Sequence, residues 1–204
     1  MCPVHYCPSC DQPTSMEPED GGAVCPACGR RDEWARLQPL FLVTGASGAG
    51  KTAVFGPLAR LLAGRCAVFD VDWLLDAAGA LSGADSVRDL PWPGFDQAWL
   101  AVAHGVAQAG MATVLLGPLT VDRLERNPGR KWVGPIFSLL LDCPDDVRRR
   151  RIEERPPWRT REVAEQTAFA AWLRNQVSTR VDTSAGSPEE AARAVADWVR
   201  GLVV

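Results

Sequence analysis

No apolar run in the 204-residue chain approaches the roughly 20 residues that a membrane-crossing helix needs. The start, "MCPVHYCPSCDQP", also lacks the basic-then-apolar order of a secretory signal. Both absences point to a cytoplasmic protein without a membrane partner. Internal repeats of the solenoid type are missing. So is any large charge excess: the net charge is -3, with 23% charged residues. The whole chain therefore has no bulk attraction for nucleic acid or anionic lipid, and any basic site must be local. A hydrophobic fraction of 47% is enough to build a real core. The length suits one domain of roughly 150 residues plus a small module.

The seven cysteines are unevenly spread, with five of them in the first 28 residues. Cys66 and Cys143 sit in apolar segments and read as buried thiols. "CPSC" (Cys7, Cys10) and "CPACG" (Cys25, Cys28) give C-x2-C, fourteen residues, then C-x2-C. Four thiolates at this spacing predict a tetrahedral Zn²⁺ site of zinc-ribbon type, closed and therefore structural. Gly29 allows the tight turn after the second pair, and Cys2 and His5 are spare donors. Disulfides conflict with a reducing cytoplasm. The module's charge is mixed, Arg30 and Arg31 against Glu17, Glu19 and Asp20, so nucleic acid is not an expected partner. Two roles remain open for it: capping the rest of the chain or holding a partner. The expected division is a ribbon over residues 1–36 and a second domain over 37–204.

From Leu40 onward, strand-like and helix-like segments alternate. Strands are predicted at Leu40–Thr44, Cys66–Asp70, Thr113–Leu116, Ile136–Asp142 and Val177–Val181. Helices are predicted at Lys51–Ala63, Phe95–Ala109, Pro144–Arg155, Thr160–Gln176 and Pro188–Leu202. Alternation of this kind implies parallel pairing and an α/β layered sheet. "SPEE" sets Ser187 as N-cap, Pro188 at N1 and Glu190 at N3, a capping box. Asp145 and Asp146 fall in a first helical turn, where the dipole favours negative charge. Pro57 should bend its helix or mark a short first segment.

"GASGAGKT" fits G-x-x-x-x-G-K-[ST] between a strand and a helix, with Gly45, Gly50, Lys51 and Thr52 at the fixed positions. Its glycines let the backbone of Gly45, Ala46, Ser47, Gly48, Ala49 and Gly50 curl N–H groups around phosphate oxygens, and the helix N-terminus adds positive potential. Lys51 can neutralise the β- and γ-phosphates, and Thr52 can offer its hydroxyl to Mg²⁺. The expected ligand is a nucleoside triphosphate, ATP. The next strand ends "VFDVDW", with Asp70 and Asp72 two apart and so on one side of a strand. One such carboxylate can orient Mg²⁺, and the other can take or orient the proton of an acceptor hydroxyl. The third strand ends in Gly117 and Pro118, where a motor-type ATPase carries an acid. In "DDVRRRRIEERPPWRTR", Arg148, Arg151 and Arg155 share i, i+3, i+7 spacing, and Arg159 follows Pro156 and Pro157. Such guanidiniums can close over a triphosphate or simply form a solvated face.

On these motifs, residues 40 to 204 resemble the small P-loop kinases of the nucleoside and nucleotide kinase superfamily. That group includes shikimate, gluconate and nucleoside monophosphate kinases, and antibiotic phosphotransferases such as the chloramphenicol enzyme. The resemblance implies a five-stranded parallel sheet with helices on both faces. It implies Asp70 for the metal, Asp72 for the acceptor, and Arg151, Arg155 and Arg159 as lid arginines. It also implies a loop beside the adenine at residues 182–186, including Asp182 and Thr183. The sequence departs from the adylate-type pattern in lacking a clear nucleoside-reading arginine between the second helix and third strand. Instead the stretch from Trp73 to Trp99 is apolar and rich in tryptophan. Trp73, Trp92, Phe95 and Trp99 can stack on a flat acceptor or pack in the core. Arg88 and Asp96 are candidate polar contacts there. The expected activity is ATP-dependent phosphoryl transfer to a small molecule, a nucleoside or nucleotide first. The alternatives are a sugar, hydroxy acid or antibiotic hydroxyl as acceptor, or a nucleotide-dependent module that binds protein or RNA. No motif specifies an oligomeric state.

Overall fold

The computed structural model describes residues 5–7, 9–10, 12–14, 16–19, 22–32, 37–83, 89–156 and 162–202. Short apolar runs flanked by helices form its central sheet. Strands β6 (Leu40–Thr44), β7 (Cys66–Asp70), β8 (Ala112–Leu116), β9 (Ile136–Asp142) and β10 (Arg180–Asp182) form a five-stranded parallel sheet in the order β10-β9-β6-β8-β7. Every residue of β6 and β8 is buried, as expected for strands covered on both sides. The first strand of the sheet is its middle one, flanked by β8 and β9. The chain therefore winds off in both directions from β6. A crevice at the carboxyl end of such a strand is where α/β sheets bind ligands, and "GASGAGKT" begins there.

Among the described residues, five short strands precede the sheet in sequence. β1 (His5–Cys7) pairs antiparallel with β2 (Gln12–Thr14), and β4 (Gly22–Val24) pairs antiparallel with β3 (Glu17–Glu19) and β5 (Arg31–Asp32). The chain divides into two compact units, one of residues 1–40, 73–113 and 121–136, the other of 41–72, 114–120 and 137–204.

In the second unit, helix α1 (Lys51–Leu61) packs against α7 (Pro188–Arg200) and β7. Helix α1 runs on through Pro57 rather than stopping as a short segment. Val54 and Leu58, on either side of the proline, are buried, and tertiary packing outweighs the lost hydrogen bond. Phe41 stacks on Phe137 at 5.6 Å and meets Trp198 of α7 edge-on at 5.4 Å. The capping box of α7 forms as expected: Ser187 Oγ accepts from the Glu190 N–H at 3.2 Å, and Glu190 Oε2 accepts from the Ser187 N–H at 2.7 Å. Helix α5 (Asp145–Glu153) packs on α6 (Val163–Gln176). The last strand is shorter than expected. Val177 closes α6 through its N–H to Leu173 O at 2.9 Å and packs with Leu140 and Leu173, so its apolar character belongs to a helix end.

Gly117, at the carboxyl end of β8, has a steric reason to be glycine. A Cβ there would lie 2.0 Å from Cγ2 of the buried Val71. The absence of an acid at the end of this strand thus follows from the close approach of the residue between Asp70 and Asp72. Gly117→Ala is expected to destabilise the protein by about 1–3 kcal/mol, the usual cost of overpacking. Part of that loss should return in a Val71→Ala background. Urea unfolding of both single variants and the double variant checks this, and strictly additive losses would defeat the steric explanation.

In the first unit, α2 (Leu75–Ser82), which the periodicity did not suggest, ends at Gly83 with φ 68°. Helix α3 (Trp92–Gln108) starts three residues before the expected Phe95, with Pro93 in its first turn where a missing N–H costs nothing. It buries Phe95, Trp99, Leu100, Ala103 and Ala107 on one side. A short helix α4 (Val121–Glu125) and a 3-10 helix (Pro128–Trp132) follow. Trp132 is 1% exposed and packs with Cys7, Met16, Ala23 and Cys25. Among the described residues, no helix is long and apolar enough to cross a membrane.

Candidate functional site

The loop after β6 is tightly built. A Cβ on Gly45 would lie 2.7 Å from Leu141 O, and one on Gly48 would lie 3.1 Å from Arg148 O. Gly48 and Gly50 also adopt φ of 83° and 89°, a region that L side chains avoid. The loop's carbonyls are all engaged within the protein. Lys51 Nζ donates to Gly45 O at 2.6 Å and to Ala46 O at 3.2 Å. Arg148 donates to Ser47 O at 3.0 Å and Arg151 to Gly48 O at 3.2 Å. The Thr183 hydroxyl lies 3.0 Å from Ala49 O, and the Ala53 and Val54 N–H groups close on Gly50 O. Among the described residues, no acceptor takes the N–H groups of Gly48, Gly50, Lys51 or Thr52. With carbonyls satisfied and amides left over at a helix N-terminus, the loop fits an anion.

Facing the loop is a cleft of about 370 Å³. Lys51, Thr52, Asp70, Asp72, Arg151, Arg155 and Thr183 all line it, together with Gly186, Ser187 and Pro188 at the start of α7. The structure thus brings together the loop, both carboxylates, two of the arginines and part of the late loop. Asp70 ends β7, and Asp72 opens the 3-10 helix Val71–Leu74, where its N–H donates to Asp70 Oδ1 at 3.1 Å. Burial lowers the Lys51 ammonium to about 8, with Asp72 and then Asp70 opposing that fall, and Arg155 and Arg148 adding to it. Arg151 is fixed by Thr183, through Oγ1 at 3.0 Å and O at 2.5 Å. Ser184 holds the Asp182 carboxyl below its ordinary range, through its hydroxyl and its N–H, the latter at 2.7 Å.

Arg148 differs from its expected grouping with Arg151 and Arg155. It is fully buried, paired with Asp142 at 2.5 Å. Asp142 also takes Arg174 Nε at 2.7 Å. Arg148 therefore holds the loop from beneath. Arg159 and Arg88 lie outside the described residues, as does Cys2.

The aromatic candidates separate. Phe95 and Trp99 are 3% and 2% exposed, in the core of the first unit, so their ring faces are covered by protein. Trp92 is half-buried, edge-on to Phe95 at 5.5 Å, with Arg123 over its ring at 5.2 Å. Trp73 is 59% exposed. Asp96 is buried and held by Arg123 through two bonds of 3.0 and 2.7 Å. Burial pushes its carboxyl up and Arg123 pulls it down, burial prevailing.

The four cysteines meet as their spacing predicts. The sulfurs of Cys7, Cys10, Cys25 and Cys28 all lie within 4.8 Å of one another. Cys7 and Cys28 are 3.7 Å apart, and Cys10 and Cys25 are 3.8 Å apart. A tetrahedron with Zn–S bonds of about 2.3 Å has edges of about 3.8 Å, so the cluster fits Zn²⁺. A disulfide would need about 2.05 Å. As bare thiols, Cys10 and Cys25 are shifted in opposite directions. Cys10 is pushed up to about 12, first by its hydrogen bond with Cys28. Burial acts to raise Cys25, but the N–H groups of Cys28 and Ala27 prevail and lower it to about 6.

Sequence reasoning did not single out Gln166, Asp142 or the loop-facing start of α7. Each acts from far along the chain, and only the capping box at Ser187 left a local signal.

No family model and no curated protein matches the sequence. In fold, the chain is similar to several solved structures. One is a sugar kinase from Janibacter sp. HTCC2649, at 20% identity and TM-score 0.56, covering 81% of this chain and 95% of that one. Another is the tunicamycin resistance protein of Deinococcus radiodurans, at 21% identity and TM-score 0.58, covering 80% and 96%. A third is the shikimate kinase of Acinetobacter baumannii, at 19% identity and TM-score 0.52, covering 84% and 97%. At these identities the likeness is one of fold.

Proposed function

We propose that the chain is an ATP-dependent small-molecule kinase of the cytoplasm, a P-loop domain over residues 37–204 with a structural zinc ribbon over 1–36. The observation that carries this reading is the shared cleft. A loop with satisfied carbonyls and unused amides faces a lysine, a hydroxyl, two carboxylates and two guanidiniums. ATP supplies the transferable phosphoryl group, and Mg²⁺ offsets charge on its phosphates. The amides of Gly48, Gly50, Lys51 and Thr52 bind the phosphates, and Lys51 leaves the loop carbonyls to neutralise them. Thr52 and Asp70 hold Mg²⁺. Asp72 orients the acceptor hydroxyl and takes its proton. Arg151, Arg155 and, from the sequence, Arg159 stabilise charge on the phosphoryl in flight. Asp182 and Thr183 line the nucleoside side. Cys7, Cys10, Cys25 and Cys28 hold Zn²⁺.

The acceptor reading is a nucleoside or nucleotide, resting on Trp73 and Trp92 and, from the sequence, Arg88. Covered rings at Phe95 and Trp99 favour the alternative of a smaller hydroxyl compound, such as a sugar, hydroxy acid or antibiotic. The test is ATP consumption measured across these acceptor classes, with Lys51→Ala as the paired variant. Turnover should be abolished and Mg·ATP binding weakened in that variant. Wild-type affinity should also decline as pH rises above about 8, because the ligand needs the protonated amine. Near-normal activity of Lys51→Ala would overturn the loop assignment. If no acceptor is consumed and ATP only strengthens capture of a protein or RNA, the binding-module reading takes over.

A further inference from the structure

Ser47 lies in the loop, and the two peptide units that flank its Cα are each held by a side chain distant in sequence. Its carbonyl accepts from Arg148 of α5 at 3.0 Å. Its N–H donates to Gln166 Oε1 of α6 at 2.8 Å. Arg148 cannot shift easily, being fully buried and paired with Asp142. Helix α6 is in turn tied to the same carboxylate through Arg174, which also reaches Asp145 of α5 at 2.8 Å. Gln166 therefore projects from a fixed frame.

We propose that Gln166 is a positioning residue that sets the phosphate loop for its anion. Ser47 is followed by Gly48, whose positive φ gives the backbone there freedom that other residues lack. Arg148 holds the Ser47–Gly48 peptide, which carries the Gly48 N–H, but the Ala46–Ser47 peptide before it would sample several orientations if its own N–H were unheld, and each would shift Ser47 and the amides that follow. By accepting the Ser47 N–H, Gln166 fixes the Ala46–Ser47 peptide, and with Arg148 on the next peptide the backbone of Ser47 is set on both sides. Gln166 does not line the cleft, so it acts through the backbone and touches no substrate. A side chain that orders a binding loop in advance lowers the cost of binding. Its loss should therefore weaken Mg·ATP in the ground state and the transition state alike, raising KM and leaving kcat nearly unchanged. This role rests on the triphosphate reading of the cleft.

The test uses the full chain and two variants. Gln166→Met keeps the length and helix propensity but has no amide oxygen. Gln166→Glu keeps an acceptor oxygen. Hydrogen exchange at the Ser47 amide, read by NMR without ligand, should speed up roughly five-fold in Gln166→Met, as expected for one lost hydrogen bond. It should stay as in wild type in Gln166→Glu. The Val195 amide of α7 should be equally protected in all three proteins, which separates a local effect from general loosening. Calorimetry with Mg·ATP should show affinity roughly five-fold weaker in Gln166→Met, with kcat within about two-fold. Unchanged Ser47 exchange in Gln166→Met, or unchanged Mg·ATP affinity alongside faster exchange, would overturn the positioning role. If wild type itself binds no Mg·ATP, the triphosphate reading fails, and this role fails with it.

Discussion

Asp72→Asn is expected to cut phosphoryl transfer by roughly 10²–10⁴, the usual size of a general-base contribution. The substitution keeps the side chain's shape and its hydrogen-bonding reach, but it removes the charge and the basic oxygen. Asp72 lines the cleft beside Lys51 and Thr52, two residues past the end of β7, with Val71 wedged beneath Gly117. Mg·ATP affinity should change little when measured near pH 6.5. At higher pH a second effect enters, because Asp72 is the foremost charge keeping Lys51 protonated. Removing it lowers the lysine's pKa further below about 8, so the decline in affinity should begin at lower pH than in wild type. Asp70→Asn should instead weaken Mg²⁺-dependent ATP binding itself. Paired calorimetry and turnover measurements distinguish the two carboxylates. Wild-type turnover in Asp72→Asn would move the base elsewhere.

Stripping metal from the four-cysteine cluster should unfold the ribbon. Structural Zn²⁺ in small modules contributes an apparent 10–16 kcal/mol near neutral pH, as much as the whole stability of many domains. The ribbon has little else to replace it: strands of two or three residues, and a small core of Cys7, Met16, Ala23, Cys25 and Trp132. Purified protein should contain about one Zn²⁺ per chain. A strong chelator should release it, free four thiols and shift the fluorescence of Trp132, isolated by difference against a Trp132→Phe variant. Protein that is metal-free as purified, with the Trp132 signal intact, would refute a structural metal site.

Much of this architecture is legible locally because its causes are local. Glycine spacing after an apolar run specifies the loop, since only residues without Cβ tolerate its turns. C-x2-C pairs specify the four-cysteine cluster, because two-residue spacing brings two sulfurs to one side of a tight turn. Ser187 and Glu190 specify where α7 begins, because both partners of the capping box lie within one turn. Aromatic residues were less legible. Trp73, Trp92, Phe95 and Trp99 look alike in sequence, but α3 buries Phe95 and Trp99, whereas Trp73, in the 3-10 helix Val71–Leu74, is largely exposed.

Arginines divide in the same way. "RRRR" gives Arg148 and Arg151 the same helical face, yet one is sealed beneath the loop on Asp142 and the other lines the cleft. Charge and periodicity are identical for the two, and the difference lies in which strand end and which carboxylate each meets. The sequence by itself determined the strand–loop–helix unit with its glycine turns and the two close cysteine pairs, because each depends on residues within a few positions of one another. Tertiary structure alone decided that β6 is central, that Val71 denies a side chain at Gly117, and that Gln166 reaches Ser47. Those outcomes depend on contacts between segments far apart in the chain, whose meeting is set by how the sheet and helices pack rather than by any local pattern.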